Sequence, residues 1–216
     1  MTGAPRDRVQ RLTRAPGPFA RVGDLCLRPL REREDDYARI SRWRSDPRVL
    51  EGYGGRDHPL DIWTVMARLG PKVRGESEVF PCMIERAGRA IGYLQVYPVR
   101  APSDYGLAED EAQDLFGVDL FVGEPDLWGQ GLGPIVLRAT LDWLFREQGA
   151  RKVVIDPRVE NERAVRAYEK TGFTRVRRLR AHALHEGRRR DVWLMAMDRD
   201  AWEALPPAPG RVGEAR

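Results

Sequence analysis

Residues 116–134 read FGVDLFVGEPDLWGQGLGP, and this stretch decides which fold the chain adopts. Phe116 to Val122 is typical of a strand, and a turn with glycines at 123, 129, 131 and 133 follows it. Gly131 to Gln148 then predicts a helix, because its apolar residues recur on one side. A strand, a glycine-rich turn and a helix in direct succession predict an anion site. Glycines let the backbone approach a ligand closely, and a helix N-terminus adds about half a positive charge.

The turn does not match either of two common phosphate-binding motifs. A Walker loop needs Lys followed by Ser or Thr after its last glycine, and here Gly133 is followed by Pro134. The spacing of Gly129, Gly131 and Gly133 also differs from the dinucleotide-binding pattern. Pro134 suits the first turn of a helix, where its missing N–H has no partner to lose.

The rest of the chain alternates strand and helix patterns around this stretch. Strands are predicted at 24–30, 79–86, 90–97, 152–155, 173–178 and 191–197, and helices at 33–44, 61–69 and 163–171. We expect Gly70-Pro71 to end the second of these helices. The order predicts a single α/β domain of the α+β type, with a central, mostly antiparallel sheet flanked by helices. We predict a mobile arm over 1–22, the domain over 23–205 and a loose tail over 206–216.

Charge is spread unevenly along the 216 residues. The chain has 37 Lys and Arg against 33 Asp and Glu, which gives a net charge of +4. Residues 101–137 contain eight acidic residues and no Lys or Arg, so an exposed acidic loop and a cation-attracting site are both open interpretations. Cys26 and Cys82 lie in apolar stretches and are expected to be buried thiols. The chain starts without an apolar segment and has no apolar run of membrane-spanning length, so we expect a cytoplasmic protein.

A second polar constellation follows the predicted strand at 152–155. Asp156-Pro157 closes that strand, and Asn161 is a good N-cap for the helix that ends before Gly172. Ala164 and Ala167 give the helix a face of small residues on which a thin ligand could lie, with Tyr168 one turn from its end. An ordinary capped helix with a half-buried tyrosine fits the same residues.

Together the two constellations resemble the GCN5-related N-acetyltransferases. The turn Gly129-Gln130-Gly131-Leu132-Gly133 is similar to the acetyl-CoA pyrophosphate loop of that family, and 161–173 is similar to its second signature. The likeness narrows to the aminoglycoside 6′-N-acetyltransferases, above all the acetylating half of the bifunctional aminoglycoside-modifying enzyme. It rests on segments 49–57, 116–125, 156–157 and 185–187, and it extends over about 25–202. Trp128 departs from the Arg or Gln of most of the superfamily, which removes one side-chain donor near the pyrophosphate.

The resemblance implies a GNAT-like domain in which a splayed pair of strands holds acetyl-CoA. It implies the following cofactor-binding residues: Phe121, Val122, Trp128, Gly129, Gln130, Gly131, Leu132, Gly133, Pro134, Asn161, Ala164 and Tyr168. It implies acetyl transfer to the 6′-amine of a polycationic aminoglycoside such as kanamycin or tobramycin. The substrate-contacting residues implied are Tyr53, Asp104, Asp119, Asp156 and Glu186.

Direct acetyl transfer needs a neutral amine and a protonated leaving thiolate, and two residues are candidates for these tasks. Asp119, just before the turn, is expected to anchor the cationic amine and to accept its proton if burial raises the carboxyl pKa. Tyr168 is the candidate acid, because a phenol with a pKa of about 10 can protonate a thiolate at modest cost. Asp156 as a strand-end cap and Glu186 as a turn residue are the structural alternatives. No metal site is expected, because His182 and His185 have no third ligand nearby at suitable spacing.

Other functions stay open at this point. The enzyme could acetylate another polyamine, a siderophore precursor or a protein amine, or the chain could be a sensor that binds coenzyme A without turnover. A nucleic-acid interface between Arg175 and Arg190 is disfavoured, because no aromatic residues are interleaved with the arginines. The sequence does not decide between a monomer and a homodimer.

Overall fold

The computed structural model describes residues 17–206. Within these residues, eight strands form one sheet in the order β1-β2-β3-β4-β5-β6-β8-β7, and only β5 and β6 run parallel to each other. The strands are β1 (Ala20–Val22), β2 (Leu25–Pro29), β3 (Phe80–Arg86), β4 (Arg89–Pro98), β5 (Leu115–Val122), β6 (Lys152–Ile155), β7 (Thr174–His185) and β8 (Arg188–Asp198). The helices are α1 (Glu34–Trp43), α2 (Pro47–Gly52), α3 (Ile62–Val73), α4 (Leu132–Arg146), α5 (Glu162–Thr171) and α6 (Arg199–Glu203). The predicted single domain with a mostly antiparallel sheet is confirmed.

Two apolar clusters pack on the sheet and fix its helices. One joins Val136, Leu137 and Leu144 of α4 to β3, β4 and β5. The other joins Tyr37, Ile40 and Trp43 of α1 to α3 and to the same central strands. The spacing of three in α1 therefore places its apolar residues on one buried face, as the sequence predicts. Cys26 and Cys82 are free and buried, as expected.

Strands β5 and β6 separate after a short paired segment. β5 pairs with β4 along 116–122, but it pairs with β6 only from Leu115 to Gly117. Beyond Gly117 the side of β5 that faces β6 has no strand partner, and a cleft opens between the two strands. Because Asp119 lies in the unpaired part of β5 and Asp156 follows directly after β6, the separation brings two acidic residues to one cleft.

Several predicted boundaries differ from the observed ones. The prediction of a mobile arm over 1–22 is wrong for its last residues. β1 pairs with β2, and the ring of Phe19 packs on that of Trp143 with the two ring centroids 4.6 Å apart. Residues 1–16 of the predicted arm and 207–216 of the predicted tail lie outside the described residues. Helix α3 continues through Gly70-Pro71 to Val73, because a proline in a last turn removes only one hydrogen bond and Val73 still packs on the core.

Helix α2 was not predicted, although the sequence carries a signal for it. The side chain of Asp46 caps the helix by accepting from the backbone N–H of Arg48 at 2.9 Å, and Pro47 occupies its first turn. The helix ends at Gly52, directly before Tyr53. Because helix α2 lies next to the cleft, its end places Tyr53 at the site.

Candidate active site

A cavity of about 480 Å³ occupies the cleft between β5 and β6. Its walls are β5, the glycine turn, the segment after β6, helix α5 and the loop after α2. Of the sequence-predicted residues, it is lined by Tyr53, Asp119, Phe121, Val122, Trp128, Gly129, Gly131, Leu132, Gly133, Pro134, Asp156, Asn161, Ala164 and Tyr168. The fold thus brings both predicted constellations to one space, although the 21 residues 135–155 separate them in sequence.

Asp119 is held by polar side chains of β4. Gln95 lies opposite it in the β4–β5 register, and the Gln95 amide donates from Nε2 to Asp119 Oδ2 at 2.6 Å. The hydroxyl of Tyr97 is 3.5 Å from Asp119 Oδ1. Tyr97 has room to lie there because its partner is Gly117, where a Cβ would come within 2.3 Å of the Tyr97 ring. Burial raises the pKa of Asp119, and the donors and the nearby Lys72 ammonium oppose that rise.

Asp156 is the second carboxyl group of the cavity. Burial, with a smaller contribution from the negative charge of Asp119, raises its pKa to about 7. A carboxyl group with this pKa is half protonated near neutral pH, and a bound cation would draw it toward the ionised form. The two groups could therefore hold positive charge together, and the Asp156 carboxyl changes its charge in the physiological range.

Aromatic residues complete the cavity around Asp119. Tyr53 packs on Phe121 with ring centroids 4.8 Å apart, and the guanidinium of Arg44 lies 5.2 Å from the Tyr53 ring. Tyr168 reaches the same space from α5. Burial and the negative charge of Asp119 raise the pKa of both tyrosines above the ordinary phenol value. Both hydroxyls are therefore protonated at neutral pH and can act as hydrogen-bond donors.

The glycine turn has the conformation that an anion site needs. Gly129 and Gly131 have φ angles of +78° and +75°, and Gly131 is the N-cap of α4. At Gly133 φ is not positive, and apart from its chain neighbours and the backbone of its own helix turn a Cβ would meet no atom of the described residues within 4 Å. Packing within the protein therefore does not require a glycine at 133, whereas a ligand that approached the backbone closely would require one. The side chain of Gln130 turns away from the cavity and donates to the backbone oxygen of Asp126 at 3.1 Å.

Trp128 is anchored rather than free. Its indole N–H donates to the backbone oxygen of Val122 at 2.8 Å, and the guanidinium of Arg163 lies over its ring at 4.0 Å. Arg163 also lines the cavity, so α5 places a positive charge opposite the turn where Trp128 provides no charged donor. Arg163 was not among the residues predicted from the sequence, although its place two residues after the N-cap Asn161 in the second signature was a usable signal.

Two of the predicted substrate residues lie elsewhere. Asp104 is exposed in a short 3₁₀ helix, Pro102–Tyr105, and is not among the residues that line the cavity. Glu186 lies in the β7–β8 turn and accepts from Nη2 of Arg56 at 2.8 Å, which lowers its pKa to about 2. Its charge is therefore already balanced by a guanidinium, and it does not line the cavity.

The acidic residues of segment 101–137 lie in different surroundings and have different partners. Glu124 accepts from the indole N–H of Trp43 and pairs with Arg42, and Glu111 pairs with Lys152 at 2.6 Å. Of the eight acidic residues in this segment, Asp119 is the one that lines the cavity. The interpretation as an exposed loop fits Asp104, Glu109 and Asp110, and a cation-attracting site at Asp119 stays a prediction. Within 17–206, no three His, Cys, Asp or Glu residues are arranged to hold a metal ion. Over the same residues, every helix is too short or too polar to cross a membrane.

Comparison with known proteins places the chain in a family. Residues 32–181 match the model of the acetyltransferase (GNAT) domain. Aminoglycoside N(6′)-acetyltransferase type 1 of Klebsiella pneumoniae is 30% identical over 142 residues, which are 66% of this chain and 71% of the relative. The protein of the same name from Serratia marcescens matches equally.

Solved structures agree with the sequence relatives. AAC(6′)-Ib in complex with ribostamycin and coenzyme A is 26% identical, with a TM-score of 0.69 over 86% of this chain and 99% of that one. Spermidine N-acetyltransferase from Vibrio cholerae shares the fold, with a TM-score of 0.69 over 83% of this chain and 98% of that one, at 18% identity. The resemblance to the GCN5-related N-acetyltransferases is confirmed. The chain belongs to the acetyltransferase (GNAT) family, in the group that contains the aminoglycoside 6′-N-acetyltransferases.

Proposed function

We propose that the protein transfers the acetyl group of acetyl-CoA to the 6′-amine of aminoglycoside antibiotics and so confers resistance to them. The observation that carries this proposal is the position of Asp119, a carboxyl group held in the cleft beside the glycine turn. Support comes from relatives named for this activity and from a structural neighbour solved with coenzyme A and kanamycin. We further propose that the protein acts in the cytoplasm, where acetyl-CoA is available.

The residues of the cleft fit coenzyme A. The turn presents backbone N–H groups at the N-terminus of α4, and Gly133 leaves open space there. Arg163 and the other basic residues of the lining, Arg158, Arg166 and Lys170, supply positive charge for phosphate groups. The unpaired part of β5 offers backbone groups to an extended chain such as pantetheine. Bound acetyl-CoA supplies the activated acetyl group, and the protein supplies binding, orientation and proton transfer.

The acceptor amine is proposed to lie between Asp119 and Asp156. Asp119 attracts the ammonium form and then takes its proton, directly or through a water molecule. Its raised pKa makes it a better base than an exposed aspartate, while its hydrogen bond from Gln95 keeps the acceptor oxygen in place. Asp156 holds a second positive charge, and the Tyr53 ring forms the wall against which a sugar ring packs. Asp104 and Glu186 stay proposed contacts at the rim, for parts of the drug outside the cavity.

Replacing Tyr168 with Phe is expected to lower kcat about 10²-fold while leaving coenzyme A affinity nearly unchanged. The reason is that Tyr168 lines the cavity with its hydroxyl protonated, and this hydroxyl is proposed to give its proton to the leaving thiolate. The measurement is the rate of thiol release at saturating acetyl-CoA and kanamycin, with coenzyme A binding followed by calorimetry. A variant with wild-type kcat would remove Tyr168 from the mechanism.

Substrate affinity is expected to depend on pH through Asp156. Below its pKa of about 7 the group is neutral and attracts no cation, and above it the carboxylate does. The KM for kanamycin should therefore fall about tenfold as the pH rises from 6 to 8. In Asp156→Asn this part of the dependence should vanish, and KM should stay near the acidic value. Asp110→Asn, an exposed change outside the cavity, should keep the wild-type profile. An unchanged profile in Asp156→Asn would exclude the assigned role.

A substrate panel tests the proposed function. Thiol release from acetyl-CoA is measured with kanamycin, tobramycin, spermidine and an amine of the siderophore-precursor type. The position of the acetyl group on the product is determined by NMR. The proposal predicts turnover with the two aminoglycosides and acetylation at N6′. If only the other amines were turned over, the protein would still be an acetyltransferase, but aminoglycosides would not be its substrates. Binding of coenzyme A with no turnover of any amine would indicate a non-catalytic module.

A further inference from the structure

A chain of hydrogen bonds leads from Asp119 through Gln95 to Lys72, a lysine of helix α3. Gln95 donates from Nε2 to Asp119 Oδ2 at 2.6 Å. Its carbonyl oxygen Oε1 accepts two bonds, from the Tyr93 hydroxyl at 3.0 Å and from Lys72 Nζ at 3.2 Å. Lys72 lies in the last turn of α3, the turn that continues through Gly70-Pro71. No local sequence pattern connects this helix end with the acidic residue of β5.

The two donors on Oε1 determine which way the Gln95 amide faces. A lysine ammonium has only donors, so it can bind the amide oxygen and not the amide nitrogen. With Oε1 turned toward Lys72 and Tyr93, the NH₂ group must point at Asp119. Asp119 therefore receives a donor at Oδ2, an arrangement that favours the ionised carboxylate over the protonated acid.

Lys72 also contributes charge. It lines a second cavity of about 140 Å³ together with Arg44 and Arg68, and Tyr53 and Phe121 form part of the wall of both cavities. Within residues 17–206 no carboxylate lies within ion-pair distance of Lys72, and Asp119 is the acidic residue that favours its charged form. The ionisable groups that interact with Asp119 come from all surrounding elements: Tyr53, Lys72, Tyr93, Tyr97, Tyr105, Asp156 and Tyr168. Lys72 is the one cation in this set, so its charge opposes the effect of burial on Asp119.

We propose that Lys72 is a positioning residue that acts through Gln95 to keep Asp119 ionised and aimed at the acceptor amine. The inference deepens the proposed function, because it rests on Asp119 as the proton acceptor of that reaction. It assigns to α3 a role in catalysis without contact to the reacting atoms. The balance of charge in the cleft then has two parts: carboxylates face the substrate, and one lysine of α3, on the same face of the sheet as the Asp119 side chain, stabilises the carboxylate that must be a base.

The test replaces Lys72 with Met, which keeps the aliphatic length and removes the charge and the donors. The carboxyl of Asp119 is titrated by carbon NMR in the free protein, and the pH profile of kcat/KM is recorded with kanamycin. The expected result is an upward shift of about one pH unit in both the Asp119 titration and the acidic limb of the profile. Lys72→Arg, which keeps a charged donor, should restore most of the wild-type behaviour.

Two matched variants separate this role from general effects of charge or packing. Arg68→Met removes a cation from the same helix and cavity without touching Gln95, and it should leave the Asp119 titration unchanged. In a Gln95→Leu background, Lys72→Met should produce a smaller shift than in the wild type, because the hydrogen-bonded connection is already broken and only the through-space effect of the charge is left to remove. Equal shifts from Lys72→Met and Arg68→Met, or no shift from Lys72→Met, would overturn the proposal. Failure of kanamycin turnover would overturn the proposed function alone, since the NMR titration needs no substrate.

Discussion

Replacing Asp119 with Asn is expected to lower kcat/KM for kanamycin by about 10³–10⁴-fold, the upper part of the range for a general base. The variant keeps the size of the side chain and loses both the negative charge that attracts the ammonium group and the oxygen that accepts its proton. The loss should appear in kcat as well as in KM, because proton removal belongs to the chemical step. Steady-state thiol release gives both constants.

Coenzyme A binding and thermal unfolding provide the internal controls for this variant. The Asp119 side chain is hydrogen-bonded to Gln95 and Tyr97 and not to the glycine turn. Calorimetry should therefore show a coenzyme A affinity close to that of the wild type. Asp114→Asn is the matched control, since Asp114 has a positive φ that Asn tolerates and does not line the cavity. Near-normal kcat/KM in Asp119→Asn, or an equal loss in Asp114→Asn, would refute the role of Asp119.

Replacing Gly133 with Val is expected to weaken coenzyme A binding about 10²-fold or more, because two charge-assisted hydrogen bonds together are worth roughly 3–6 kcal/mol. The branched side chain would enter the open space at the start of α4, where phosphate oxygens are proposed to approach the backbone N–H groups. The fold should tolerate the change, because φ at 133 is not positive and, apart from its chain neighbours and the backbone of its own helix turn, no atom of the described residues lies within 4 Å of the new Cβ. Calorimetric titration with coenzyme A measures the loss directly.

A graded pair of variants makes this prediction specific. Gly133→Ala adds only the Cβ and should lose less affinity than Gly133→Val, while both should unfold near the wild-type temperature. Gly131→Ala differs, because its φ of +75° strains any L side chain and should lower the unfolding temperature as well. Wild-type coenzyme A affinity in Gly133→Val would mean that the phosphates do not bind at this turn.

The sequence predicted those parts of the site that are built from local patterns. The strand, turn and helix of 116–146 are adjacent in sequence, and glycine spacing and apolar periodicity report them directly. The second signature is likewise local, since Asn161 caps α5 and Gly172 ends it in the left-handed conformation. These two segments contain most of the predicted residues that line the cavity.

The residues that tune the site could not be predicted in the same way. Gln95 meets Asp119 only through the β4–β5 register, and Lys72 reaches Gln95 only because α3 continues past Pro71. The pairing of Glu186 with Arg56 joins residues 130 positions apart. Each of these contacts depends on how distant segments pack, which periodicity and spacing do not encode. The strand Ala20–Val22 is a similar case, because its pairing with β2 stabilises a segment whose composition suggests a loose arm.

The central claim is that Asp119 meets the acceptor amine beside the thioester sulfur in the cleft between β5 and β6. A crystal structure with coenzyme A and kanamycin bound tests it most directly. The predicted result places the 6′-nitrogen about 2.6–3.2 Å from an Asp119 carboxylate oxygen, or one water molecule away, with the coenzyme A sulfur on the other side of that nitrogen. An amine bound in the cleft with Asp119 still turned to Gln95 and separated from it by more than one water molecule would contradict the claim.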